Sequence, residues 1–124
     1  MIEVNGWARV VFAENETEDL LKLKNLLYHL DRYDNQKAEI NQFNGSISIY
    51  IEGHHNHNNG YTDDIINFLK NLGETATRSY ALVYVRLPDD PDLHDQFQVY
   101  RLAKGTVTIE NDVFLSPCRS VIED

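Results

Sequence analysis

The stretch "QFNGSISIYIEG" constrains the fold of this chain more than any other. Asn44-Gly45 is the dipeptide that best tolerates the left-handed backbone of a two-residue hairpin turn. Beyond it, Ile47, Ile49 and Ile51 alternate with Ser48, Tyr50 and Glu52. That period of two predicts a strand with one face on a core and the other toward water. The preceding arm, residues 38–43, is the weaker half of the hairpin. A sheet of this kind needs something to cover its apolar face, and the rest of the chain supplies it.

The first cover is the helix predicted within "AENETEDLLKLKNLLYHLDRYDNQ". Leu20, Leu23, Leu27 and Leu30 recur at spacings of three, four and three, which builds one apolar stripe. Asn15 or Thr17 is expected to cap its start, with Glu16, Glu18 and Asp19 near the positive end of the helix dipole. A second helix is expected in "YTDDIINFLKNLG", capped by Thr62, closed by Gly73, with Ile65, Leu69 and Leu72 on one face. Residues 2–12 carry Val4, Trp7, Val10, Val11 and Phe12 and suit a strand, with a bulge or bend at Gly6. "SYALVYVRL" is almost continuously apolar and predicts a central strand. "QFQVYRLAKGTVTIE" predicts two strands about a Lys104-Gly105 turn. The sum is an α+β fold: a mostly antiparallel sheet of about five strands with two helices packed on one face. Residues 1–124 are read as a single domain, since the length suits one core and no linker or repeat interrupts it.

Charge narrows the function classes. Eleven Lys plus Arg stand against twenty Asp plus Glu, a formal charge of -9. Nucleic acid and anionic membranes repel such a surface, so neither is expected as a partner. The sole cysteine, Cys118, rules out an intrachain disulfide and favours a reducing compartment. The opening "MIEVNGWARVVF" lacks the basic start of a signal peptide, and no apolar run has the length of a membrane span. A cytoplasmic protein is expected.

The histidines of "GHHNHNNG" are the obvious candidates for chemistry. His54, His55 and His57 crowd into four positions. Zinc sites need three or four ligands converging from different directions, and an extended chain turns His54 and His55 to opposite sides. Asp, Glu or Cys partners at a familiar spacing do not follow, so no metal or other cofactor is assigned. The expected role is a polar strand-to-helix loop, with Asn56 and His57 bonding the turn. Cys118 lacks an adjacent base and reads as a small thiol in a turn fixed by Ser116-Pro117. No glycine-rich phosphate loop, Ser-His-Asp order or CxxC occurs, so no catalytic residues are expected. The acidic loop with Asp89, Asp90, Asp92 and Asp95, stiffened by Pro88 and Pro91, is a solvated turn or a surface for a basic partner. Glu16, Glu18 and Asp19 form a second acidic candidate surface.

"MIEVNGWARV", "GHHNH", "SYALVYVR" and above all "FLSPCRSVIED" resemble the immunity protein 7 family across essentially the whole chain. Phe114-Leu115-Ser116-Pro117-Cys118, followed by Ile122-Glu123-Asp124, is the most specific part. Gly6-Trp7, Asn56-His57 and Ser116-Pro117-Cys118 are the pieces expected to be structural. The resemblance implies an α+β bacterial protein that binds and neutralises a cognate toxin domain of a polymorphic toxin system in the cytoplasm. It implies no catalysis and no cofactor. A basic nuclease is the narrower expectation for the toxin, because an acidic inhibitor can mimic its polyanionic substrate. Two other classes are weighed against this: a small metal-dependent enzyme using His54, His55 and His57, and an acidic non-catalytic regulatory subunit.

Overall fold

The computed structural model describes residues 1–12, 16–31, 36–56 and 60–117. The chain runs β1 (Ile2–Val10), α1 (Glu16–Asp31), β2 (Gln36–Phe43), β3 (Ser46–His55), α2 (Tyr61–Thr75), β4 (Tyr80–Arg86), β5 (Phe97–Ala103) and β6 (Thr106–Asn111). The strands form one sheet of six in the order β2-β3-β1-β4-β5-β6. Every pairing is antiparallel. The α+β expectation holds, with six strands where the sequence suggested about five. β2 was the underestimated arm: Ala38 and Ile40 pack against the core while Lys37 and Glu39 face away, a polar but regular alternation.

Turn chemistry sets both hairpins. Asn44 and Gly45 have φ of 50° and 81°, and Lys104 and Gly105 have 53° and 76°. Paired positive φ values match the right-handed twist of the flanking strands. The registers then carry Ile47, Ile49 and Ile51 onto the face that also holds Val4, Ala8, Ala81, Val83 and Val85, all buried. Leu23, Leu27 and Leu30 of α1 and Ile65, Leu69 and Leu72 of α2 belong to the same core. Both helices therefore cover one face of the sheet.

Three local expectations need correction. Gly6 makes no bulge. It keeps unbroken register with Ile51 and Val83, and a Cβ there would stand 2.8 Å from the Leu82 carbonyl oxygen and Val83 Cα. Its role is close strand approach. Gly73 does not close α2, which continues to Thr75. The glycine is buried, with space for a Cβ limited to 2.9 Å from Leu102 Cδ1, so α2 lies close on β5 and the following turn. Thr62 does not cap α2: Gly60, at φ 83°, holds that position, and the Asp64 N–H reaches its carbonyl at 3.0 Å. Thr62 instead hydrogen-bonds the Tyr100 hydroxyl, tying the helix start to β5. At the other helix, α1 begins at Glu16, which puts Thr17 inside the first turn; Asn15 lies outside the described residues.

Candidate functional site

The strand alternation leaves the second face of the sheet without a helix over it among the described residues. Its central row runs Glu39, Tyr50, Trp7, Leu82, Arg101 and Thr108 across all six strands. One step along β1, Arg9 pairs with Ser48 on one side and Tyr80 on the other. Trp7, Tyr50 and Tyr80 are 39%, 52% and 46% exposed, large values for aromatic side chains in mid-sheet. The rings of Trp7 and Tyr80 meet edge to face with centroids 5.8 Å apart. Two shallow hollows flank the indole. One, of about 320 Å³, is lined by Trp7, Arg9, Ser48 and Tyr50. The other, of about 230 Å³, lies between Trp7, Tyr80, Leu82 and Arg101.

The polar groups of this face are unevenly satisfied. Glu3 and Arg86 pair at 3.6 Å, and Lys37 pairs with Glu39 at 3.3 Å. Arg9 and Arg101 have no ion-pair partner among the described residues. Among the described residues the buried Nε of Arg9 meets no hydrogen-bond acceptor, and neither does the buried hydroxyl of Thr108, which lies opposite Arg101. A buried donor left unpaired costs about 1–3 kcal/mol, so these atoms favour any molecule that brings acceptors. The face carries Glu3, Glu39, Glu52 and Glu110 against Arg9, Lys37, Arg86 and Arg101, which balance. The net charge of -9 is therefore carried elsewhere.

Part of that charge sits at the rim. Residues 87–96 join β4 to β5, and the Arg86 Nε–H donates to the His94 carbonyl at 3.3 Å, tying this loop to the end of the open face. Of its acids, Asp90 is structural: its Oδ1 accepts from the N–H groups of Asp92 and Leu93 at 2.8 and 3.1 Å. Asp89 pairs with the amino group of Met1. Asp92 is exposed, and Asp95 is half-buried and already engaged within the chain. Glu16, Glu18 and Asp19 fall at the start of α1.

The histidine loop is not where the sequence placed it. β3 extends through His55, so Gly53, His54 and His55 are strand residues and the loop begins at Asn56. His54 pairs across from Glu3 on the open face; His55 points to the helix side, its ring 4.3 Å from that of Tyr61. Alternation thus turns the two histidines apart. Asn56 is exposed, and His57 lies outside the described residues. No cluster of three His, Cys, Asp or Glu side chains suited to a metal is present among the described residues.

The terminal motif is built around an acid the sequence reading passed over. Asp112 is buried, its Oδ2 accepting from the N–H groups of Leu115 and of Ser116, the latter at 3.1 Å. The Asp112 N–H donates to the Phe97 carbonyl at 3.0 Å, and the Phe97 N–H donates to Ser116 Oγ at 2.9 Å. The segment is laced to the first residue of β5, leaving Val113 and Phe114 79% and 86% exposed. Ser116 and Pro117 close this turn; Cys118 lies outside the described residues.

These features describe a surface for contact more than a pocket for chemistry. The sequence model of the family described as Immunity protein 7 matches residues 1–124, the whole chain. The chain belongs to the Immunity protein 7 family. Comparison with curated proteins and with solved structures returns no match for either. Family membership makes a toxin the partner in general terms. It suits a molecule whose organised surfaces are an aromatic sheet face and an acidic rim. No helix among the described residues is long and apolar enough to cross a membrane. The sequence reading named the acidic rim but missed Arg9, Tyr50, Tyr80 and Arg101. The available signal was Trp and Tyr on the outward phase of predicted strands, where small polar residues are the usual occupants.

Proposed function

We propose that this protein is the non-catalytic immunity partner of a bacterial polymorphic toxin, and that it neutralises one cognate toxin domain by binding it in the cytoplasm. The observation that carries the reading is the full-length family match. The acid balance supports a basic toxin such as a nuclease, which must carry positive charge to hold phosphates. Asp89 and Asp92, on the rim loop, are the acids free of turn-building duty and suit long-range attraction of such a domain. The divergence of His54 and His55 to opposite sides of β3 weighs against the metal-enzyme alternative. The test is co-expression with the toxin domain encoded beside this gene. Growth rescue together with co-purification supports the reading; continued killing with no complex refutes it.

A further inference from the structure

We infer that the sheet face around Trp7, which no helix among the described residues covers, is the surface on which the toxin domain docks, with Arg9 and Arg101 as its polar anchors. This rests on the immunity reading above and goes beyond it by assigning the contact surface. Three observations converge. The exposed side chains at the centre of the face are Trp7, Tyr50 and Tyr80, with two arginines beside them. Tryptophan, tyrosine and arginine are the residues that most often dominate binding energy at protein interfaces. Hollows of about 320 and 230 Å³ on either side of Trp7 would admit side chains from a partner. The size fits as well: six strands at the usual spacing span roughly 24 Å, and strands of six to ten residues run roughly 20–33 Å. Such a patch is of the same order as the ~800 Å² that each partner buries in a specific complex.

Charge identifies the kind of occupant. The face is locally neutral, so it does not act as a mimic of a polyanion. Its buried groups without a partner among the described residues are donors, the Arg9 Nε–H and the Thr108 hydroxyl opposite Arg101, whereas Glu52 and Glu110, also without an ion pair there, are exposed to water. The complementary surface is a protein patch presenting carboxylates or backbone carbonyls opposite these groups, with apolar side chains aimed at the hollows. The excess of acid lies outside this face, and the rim loop tied to Arg86 carries part of it. The two surfaces divide the work. Rim acids raise the encounter rate with a basic domain, and the aromatic centre holds the complex once formed.

The experiment measures association and dissociation rates of the purified toxin domain with the wild-type protein and with Tyr50→Ala, Arg9→Glu, Arg101→Glu and, as a control on the outer side of α1, Tyr28→Ala. Tyr50 and Arg101 are exposed, so their variants are expected to fold even where Arg9→Glu does not. Each open-face variant should dissociate roughly tenfold faster or more, with little change in association, and Tyr28→Ala should match wild type. Growth rescue should weaken in the same order. Wild-type binding with open-face variants unchanged overturns the docking surface and leaves the immunity function standing. Absence of wild-type binding overturns the function and the surface with it. A wild-type homodimer that Tyr50→Ala dissociates, with toxin affinity unchanged, assigns the face to a second copy of this chain and also overturns the proposal.

Discussion

Trp7 and Tyr80 meet at 90°, edge to face, across the β1–β4 pairing on the sheet face that no helix covers among the described residues. They are diagonal neighbours, since Trp7 is paired with Leu82 and Tyr80 with Arg9. Edge-to-face pairs contribute about 0.5–1.5 kcal/mol beyond the area they bury. Both rings stay partly wet, so the coupling in the free protein should fall near the lower end. A double-mutant cycle with Trp7→Leu and Tyr80→Leu, followed by urea denaturation, should give about 0.5 kcal/mol. A coupling much larger than that would make the pair a determinant of folding first and of binding second.

The two close-approach glycines should respond differently to a methyl group. At Gly6 a Cβ meets backbone, the Leu82 carbonyl and Val83 Cα, both at 2.8 Å. Backbone in mid-sheet cannot give way without breaking register. At Gly73 the nearest atom is the tip of Leu102, and the backbone of Gly105 is 3.6 Å away. Alanine there also gains about 1 kcal/mol of helix propensity. Gly6→Ala should therefore cost upward of about 2 kcal/mol, and Gly73→Ala clearly less. Chemical denaturation of the two variants checks the order, and equal losses would refute the distinction.

How far the sequence reveals this molecule depends on the range of the interaction involved. Asn44-Gly45 and Lys104-Gly105 are legible because positive φ is a property of two adjacent residues. The isoleucines of β3 and the leucines of α1 are legible because periodicity is local. Gly73 reads as a helix stop because a glycine after an apolar face is the usual stop signal; contact with Leu102, far along the chain, overrides it. The site is the least legible part. Tyr50, Trp7 and Tyr80 come from three strands, and only the β1–β3 and β1–β4 registers place them together. Asp112 was hidden similarly, since its partners include the start of β5 as well as its own turn.

Asp112 offers a test of that turn. Its carboxylate holds the Leu115 and Ser116 N–H groups, and its own N–H is held by Phe97. Asp112→Ala removes the acceptor and leaves two donors unpaired, an expected loss of about 1–3 kcal/mol. Hydrogen exchange should accelerate at Leu115 and Ser116 while the β1–β4 amides keep their relative protection. Uniform acceleration across the sheet would show that the turn is part of the global folding unit.

Tyr100 predicts the alkaline behaviour. Burial, first, and then the nearby Asp63 carboxylate push its hydroxyl above the usual tyrosine value, opposed by the hydrogen bond with Thr62. A raised value in the folded state means that the unfolded chain ionises first. The stability associated with neutral Tyr100 is fully present below about pH 10 and is lost as pH rises through the folded-state value. Tyr100→Phe should flatten that loss, while lowering stability near neutral pH through the missing Thr62 bond. Urea midpoints at about pH 8 and about pH 11 separate the two effects. If the variant and wild type lose stability in parallel between these values, another group governs the alkaline limb.

The rim acids should act on rate and on salt dependence, in contrast to the aromatic face. Asp90 is unsuitable for reversal because it holds the Asp92 and Leu93 N–H groups, and a lysine there would disturb the loop itself. Asp89→Lys with Asp92→Lys changes the local charge while sparing that turn. If the toxin domain is basic, association of this double variant should slow by about tenfold at low salt. The difference should shrink as ionic strength rises and the Debye length falls below the loop-to-partner distance. Dissociation should change little, because exposed rim charges contribute little once contact is made. Stopped-flow association at several salt concentrations reads this directly. A salt-independent association rate for the wild-type protein would mean that the acidity is a solubility feature and that the toxin surface is not basic.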